Sequence, residues 1–184
     1  MTLNTLPLPL ETAMAESEDR AQKQRRRRGL RIVRRLLLSA SLLTSSLWLA
    51  YPHYRFVIAP TASLPYTLFW VHVGQMPQRG DMAALYVPHN RFYPDSVGFV
   101  KILRGVPGDV VTEKHRVYAI NGTPIGKAKT ASQEGLPLAL GPVGVIPPGR
   151  YFFATPHRDS YDSRYADIGW IAEKSIVGIA HPIF

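Results

Sequence analysis

Hydrophobic and polar positions divide the chain into two regimes. Residues 1–22 are polar with neither a helical nor an alternating period, and a dense basic stretch follows, with arginines at 25–28, 31, 34 and 35. Residues 36–51 (LLLSASLLTSSLWLAY) then run without a charge. As a helix that run is roughly 24 Å long, a little short of a hydrocarbon core of about 30 Å. Ile32 and Val33 extend it if the flanking arginines snorkel, and Trp48 and Tyr51 suit a membrane interface. Residues 36–54 are therefore expected to be a transmembrane signal-anchor, and residues 1–35 a basic cytoplasmic tail, disordered over 1–22. A cleavable signal peptide or a buried core helix would share this texture. The lack of an A-x-A pattern beside Ala50 and the crowd of neighbouring arginines favour the anchor.

From Arg55 onward, short apolar runs alternate with turn signals. Residues 66–73, 82–87, 97–103, 110–112, 117–120, 151–154 and 175–179 read as strands. Gly80-Asp81, Pro107-Gly108-Asp109, Asn121-Gly122 and Pro147-Pro148-Gly149 separate them. Residues 117–120, Asn121-Gly122 and Ile125 predict a tight hairpin, and residues 126–142 a surface excursion. The pattern predicts a mainly β domain over 55–184, compact, with a folded-over or barrel-like sheet, preceded by one N-terminal transmembrane helix.

Composition sharpens this picture. Of the net charge of +9, residues 1–35 carry +5, directly beside the apolar run, so a membrane surface explains the basic bias better than nucleic acid does. The chain has no cysteine, which excludes disulfides, thiolate catalysis and cysteine metal sites. The histidines show no H-E-x-x-H spacing, and no phosphate-binding glycine loop occurs, so neither metal nor cofactor is expected.

Three stretches could carry chemistry. Lys101 interrupts an apolar strand whose alternation puts Val97, Phe99 and Leu103 on its own face. Burial there lowers a lysine's pKa and favours the neutral amine that a general base needs; a lysine snorkelling from an edge strand is the alternative. Ser63 lies in a proline-flanked loop just after the apolar run, and a serine hydroxyl needs an adjacent base to become a nucleophile. Residues 159–165 form a charged loop, Asp-Ser-Tyr-Asp-Ser-Arg-Tyr. His157 near Asp159 and Asp162 could instead belong to a Ser-His-Asp triad, although a solvated loop histidine explains it more simply.

In this order, Ser63-Leu64-Pro65, Gly80-Asp81, the Lys101 strand running into Pro107-Gly108-Asp109, Asn121-Gly122 and Asp162-Ser163-Arg164 with Gly169 resemble the signal peptidase family of Ser-Lys serine proteases. The resemblance covers roughly residues 36–184. The single residue between Ser63 and Pro65 resembles the conjugative-transfer (TraF-type) branch, since general leader peptidases place two there. The chain departs from that branch at Pro65-Tyr66-Thr67, where a glycine is usual, and at Thr155-Pro156-His157, where the final block usually opens with glycine.

The resemblance implies that Ser63 is the nucleophile and Lys101 the general base. It implies oxyanion support from the Ser63 N–H and the Thr61 hydroxyl, and bracing of the site by Asp162, Ser163 and Arg164. The implied substrate is an exported protein precursor, the pilin of a mating apparatus, cut after a small residue and in this branch able to be joined head to tail. The implied partners are the lipid bilayer and other conjugative secretion components, with no nucleic acid. The implied location is the inner membrane, single-pass, with the N-terminus cytoplasmic and the catalytic domain periplasmic. Rival readings are a general leader peptidase, a catalytically inactive membrane-anchored scaffold, and a nucleic-acid binder using the basic tail.

Overall fold

The computed structural model describes residues 9–59, 63–87, 92–93 and 98–184, and divides into two compact units, Met1–Ala50 and Tyr51–Phe184. The first unit is one helix, α1 (Pro9–Ala50). It takes in residues 9–22, which the polar pattern had suggested were disordered. Those residues lack an apolar period but are rich in Ala and Glu, with Leu10, Met14, Arg20 and Gln22 beside them, all strong helix formers, and Pro9 occupies the first helical position. The apolar span of α1, within Gln22–Leu49, has every side chain exposed. Leu, Ile and Trp on all sides of an uncovered helix fit a single-pass membrane anchor.

The second unit is mainly β, built from two antiparallel sheets. Its strands are β1 (Tyr54–Ile58), β2 (Leu68–Val73), β3 (Met82–Leu85), β4 (Phe99–Gly105), β5 (Val110–Lys114), β6 (Val117–Ile120), β7 (Thr123–Lys127), β8 (Gly144–Val145), β9 (Arg150–Ala154), β10 (Ile171–Ala172) and β11 (Ile176–Pro182). The larger sheet runs β1-β2-β11-β3-β4-β9-β10 and the smaller β7-β6-β5-β8. Each strand expected from the apolar runs has its counterpart, shifted by a few residues at its ends; Val97 lies outside the described residues. The expected hairpin joins β6 to β7, with Asn121 and Gly122 at φ 49° and 80°, as a tight turn of this kind requires.

Apolar packing explains the sheet order. Phe99 and Leu103 of β4 face a core shared with Val111, Tyr118 and Ile120 of the smaller sheet and with Phe152 and Phe153 of β9. The opposite face of β4 presents Val100 to a second core with Phe69, Val71, Ala84 and Ala180. β4 is thus covered on both faces and flanked by β3 and β9. That excludes the edge-strand reading of Lys101, since an edge would have given its ammonium a route to water.

The turn after β4 is tied to the hairpin. Asp109 accepts a hydrogen bond from the Val106 N–H (2.7 Å), another from the Asn121 amide (2.7 Å), and an ion pair from Arg79 (2.7 Å). Burial alone would raise its pKa, but these partners hold it below the usual carboxylate range. Pro107-Gly108-Asp109 and Asn121-Gly122, far apart in the chain, are therefore two halves of one brace beneath β4.

Candidate active site

Ser63 is delivered by the turn that follows β1, with Ala59 N–H bonded to the Thr67 carbonyl (2.9 Å) across that turn. Lys101 is the third residue of β4, opposite Ala83 of β3, a small residue that leaves room for its side chain. Both are buried, at 7% and 3% exposure, and Lys101 Nζ lies 2.8 Å from Ser63 Oγ. A lysine with so little access to water is not a snorkelling surface cation. Burial drives its pKa down from 10.5 to about 8; the nearby Asp162 charge pulls it up and Arg164 pushes it down.

The Asp-Ser-Arg stretch forms the floor. Arg164 grips Asp162 with two bonds, Nε to Oδ1 (2.8 Å) and Nη2 to Oδ2 (2.7 Å), and both side chains are essentially inaccessible. The same guanidinium donates to the carbonyls of Lys127, Thr155 and Ser160. Burial opposes its charge, but the Asp162 bonds more than offset this and raise its pKa. Ser163 is stitched to β9: its N–H donates to the Phe153 carbonyl and its hydroxyl accepts from the Phe153 N–H, each at 3.0 Å. Since Phe153 pairs with Leu103 of β4, the block is fixed one strand away from Lys101. On its other side the block meets Gly141, whose N–H donates to the Arg164 carbonyl (2.8 Å), and a Cβ at Gly141 would collide with the Ser163 carbonyl oxygen.

The structure thus brings Ser63 and Lys101 together, with Asp162 and Arg164 near enough to act on the lysine's charge and Ser163 bonded to the neighbouring β9. Thr61 lies outside the described residues. His157 is exposed, and its Nδ1 accepts the Asp159 N–H (3.2 Å), so it is engaged within its own loop. Two hydroxyls went unassigned from the sequence: Thr155 Oγ1 and Ser160 Oγ are buried without a hydrogen-bond partner beside the Arg164 hub. Ser160 belongs to the motif quoted above, yet only its burial distinguishes it from a solvated loop serine. Among the described residues no three His, Asp or Glu side chains converge as a metal site.

Comparison with known proteins fits this geometry. The family described as signal peptidase, peptidase S26, matches residues 30–184. The chain is 29% identical over 142 residues to the conjugal transfer protein TraF of Agrobacterium fabrum, covering 67% of this chain and 79% of that one. It is 34% identical over 122 residues to signal peptidase I of Bacillus amyloliquefaciens, covering 61% of this chain and 59% of that one. A solved signal peptidase I from Enterococcus faecalis aligns with 27% identity over 57% of this chain and 97% of its own, with a TM-score of 0.39.

Proposed function

The chain belongs to the signal peptidase family, peptidase S26, and from that premise we propose that it is a membrane-anchored serine endopeptidase working through a Ser63–Lys101 dyad. The observation that carries this reading is the buried 2.8 Å contact between Lys101 Nζ and Ser63 Oγ. With a pKa of about 8, Lys101 is neutral in roughly a tenth of molecules at pH 7, against well under a thousandth for an ordinary lysine. In that form the contact reverses direction, and the Ser63 hydroxyl donates to the Nζ lone pair.

Nζ takes the Ser63 proton as Oγ attacks the scissile carbonyl carbon, giving a tetrahedral oxyanion. The Ser63 backbone N–H and the Thr61 hydroxyl are the proposed donors to that oxygen. Collapse breaks the C–N bond, Lys101 returns its proton to the departing amine, and an ester to Ser63 remains. Water, deprotonated by Lys101, then hydrolyses the ester. Asp162, Ser163 and Arg164 act by holding β9 and the lysine in place rather than by touching the substrate.

The relationship to a conjugal transfer protein supports an exported precursor of a conjugative apparatus, its pilin subunit, as substrate. A peptide amine attacking the ester in place of water would yield a cyclic product. The arginines before the apolar span support a topology with residues 1–35 in the cytoplasm, residues 36–54 in the membrane and residues 55–184 as the catalytic domain on the periplasmic side. A second reading, a general leader peptidase, draws on the 34% identity to signal peptidase I.

Co-expression of wild type, Ser63→Ala or Lys101→Ala with a pilin precursor, in membranes, tests the proposal. Cleavage by wild type and loss in both folded variants is the expected result; cleavage by either variant would overturn the dyad. Cleavage of unrelated secretory precursors at similar rates would favour the leader-peptidase reading.

A further inference from the structure

Just before its apolar span, α1 carries its charge on one side. At about 100° of turn per residue, Arg27, Arg28, Arg31, Arg34 and Arg35 fall within a sector of about 120°. Gly29, Leu30, Ile32 and Val33 occupy the rest of the circumference, so residues 27–35 are cationic on one face and apolar on the other. Arg25 and Arg26, earlier in the helix, lie outside the sector. Setting the topology of a membrane helix takes a number of positive charges, not their placement on one face. The sector therefore asks for a cause of its own.

The five guanidiniums are exposed and have no carboxylate beside them in the helix. The chain holds no Asp or Glu between Asp19 and Asp81, so no acid stands three or four positions from any of the five. None of them belongs to an ion pair among the described residues. Their counter-anions come from outside the helix.

Depth selects the source of those anions. α1 runs unbroken from Pro9 to Ala50, so the sector ends where the uncharged span begins, at Leu36. It rises about 12 Å along the axis, against a headgroup layer of roughly 5–7 Å on each side of the hydrocarbon core. With the span in a bilayer, the last arginines stand level with the lipid phosphates, and Ile32 and Val33 continue the apolar surface behind them. A guanidinium pairs two phosphate oxygens at once. In a zwitterionic headgroup the phosphate charge is cancelled by the lipid's own ammonium, whereas an anionic phospholipid leaves it for the protein.

We propose that the arginine face of α1, made by Arg27, Arg28, Arg31, Arg34 and Arg35, binds anionic phospholipid headgroups in the cytoplasmic leaflet. The inference rests on the membrane-anchor part of the proposed function and is independent of the dyad.

The test titrates the full chain, in non-ionic detergent, with phosphatidylglycerol or phosphatidylcholine and counts bound lipids by native mass spectrometry. Phosphatidylglycerol should bind about tenfold or more tighter. The decisive variant exchanges neighbours, Leu30→Arg with Arg31→Leu and Val33→Arg with Arg34→Val. It keeps composition, net charge and depth and moves two arginines out of the sector. It should weaken phosphatidylglycerol at least threefold and leave phosphatidylcholine unchanged, whereas Arg25→Gln with Arg26→Gln should stay within about twofold of wild type. Equal binding of the two lipids, or an exchange variant as tight as wild type, would overturn the proposal. Displacement of the lipid by a hundredfold excess of glycerol phosphate would make the site one for free phosphate, and displacement by an oligonucleotide one for nucleic acid; either would overturn it too. Carbonate extraction of membranes reads the anchor separately. A chain released by carbonate would remove both the anchor and this inference, and a retained chain without lipid preference would remove this inference alone.

Discussion

Replacing Lys101 by methionine should make the protein more stable while abolishing cleavage. The lysine is 3% exposed, and burial lowers its pKa from 10.5 to about 8. A shift of that size corresponds to about 3 kcal/mol by which the folded state disfavours the charged amine. Below pH 8 the folded and unfolded chains both carry the proton, so the fold bears the whole penalty. Between about 8 and 10.5 the unfolded chain binds more protons than the folded one, so stability rises with pH and the penalty fades, reaching about half near pH 9. Methionine has a similar length and no charge to desolvate. It forfeits the hydrogen bond to Ser63, at about 1 kcal/mol, leaving a net gain of about 2 kcal/mol at pH 7. For a unit of this size that is a rise of roughly 6–8 °C in Tm. Thermal melts of both proteins in the same detergent, followed by near-ultraviolet circular dichroism from pH 6.5 to 10, measure it. The gap should be widest at pH 7 and close towards pH 10. A Lys101→Met protein that melts lower than wild type at pH 7, or a gap independent of pH, would refute the idea that Lys101 is held against its own solvation.

The same pKa sets the pH profile: kcat/KM for precursor cleavage should climb through an acid limb near pH 8 and level off above it, as stopped-time assays across pH 6–10 would show. Asp162→Asn strands a buried guanidinium and should cost about 3–5 kcal/mol in urea unfolding, whereas Asp162→Asn with Arg164→Met should recover much of that loss. Gly141→Ala forces the Ser163 carbonyl aside, so cleavage should fall at least tenfold, with β9 amides near Phe153 exchanging faster with deuterium. His157→Ala should leave cleavage within about twofold of wild type, since its ring is exposed and engaged within its own loop.

Most of the strands were legible because their apolar runs are dense and flanked by Gly-Asp, Pro-Gly-Asp or Asn-Gly turns. β1 was not, since Tyr54–Ile58 continues the apolar texture of the segment before it. β8 and β10 are two residues each, too short to show a period. The turn from β5 to β6 uses His115 and Arg116 at φ 54° and 66°, residues that do not announce a left-handed turn. Within the site, Lys101 stood out because a charge amid Phe99, Val100, Ile102 and Leu103 conflicts with its surroundings. Arg164 and Asp162 gave no such signal: in sequence they are a charged loop, and only packing shows them as a buried pair.

The place of β11 bears on timing. Ser63 lies between β1 and β2, Lys101 lies on β4, and the strand joining these two halves of the sheet is β11, paired with β2 on one side and β3 on the other. During synthesis, β1–β2 and β3–β4 can each pair as soon as they emerge, but the strand that joins the two pairs in one sheet is β11, made after both. Such late, long-range pairing is slow. A chain that has not yet made β11 therefore lacks the strand whose pairing sets the Ser63 half of the sheet against the Lys101 half.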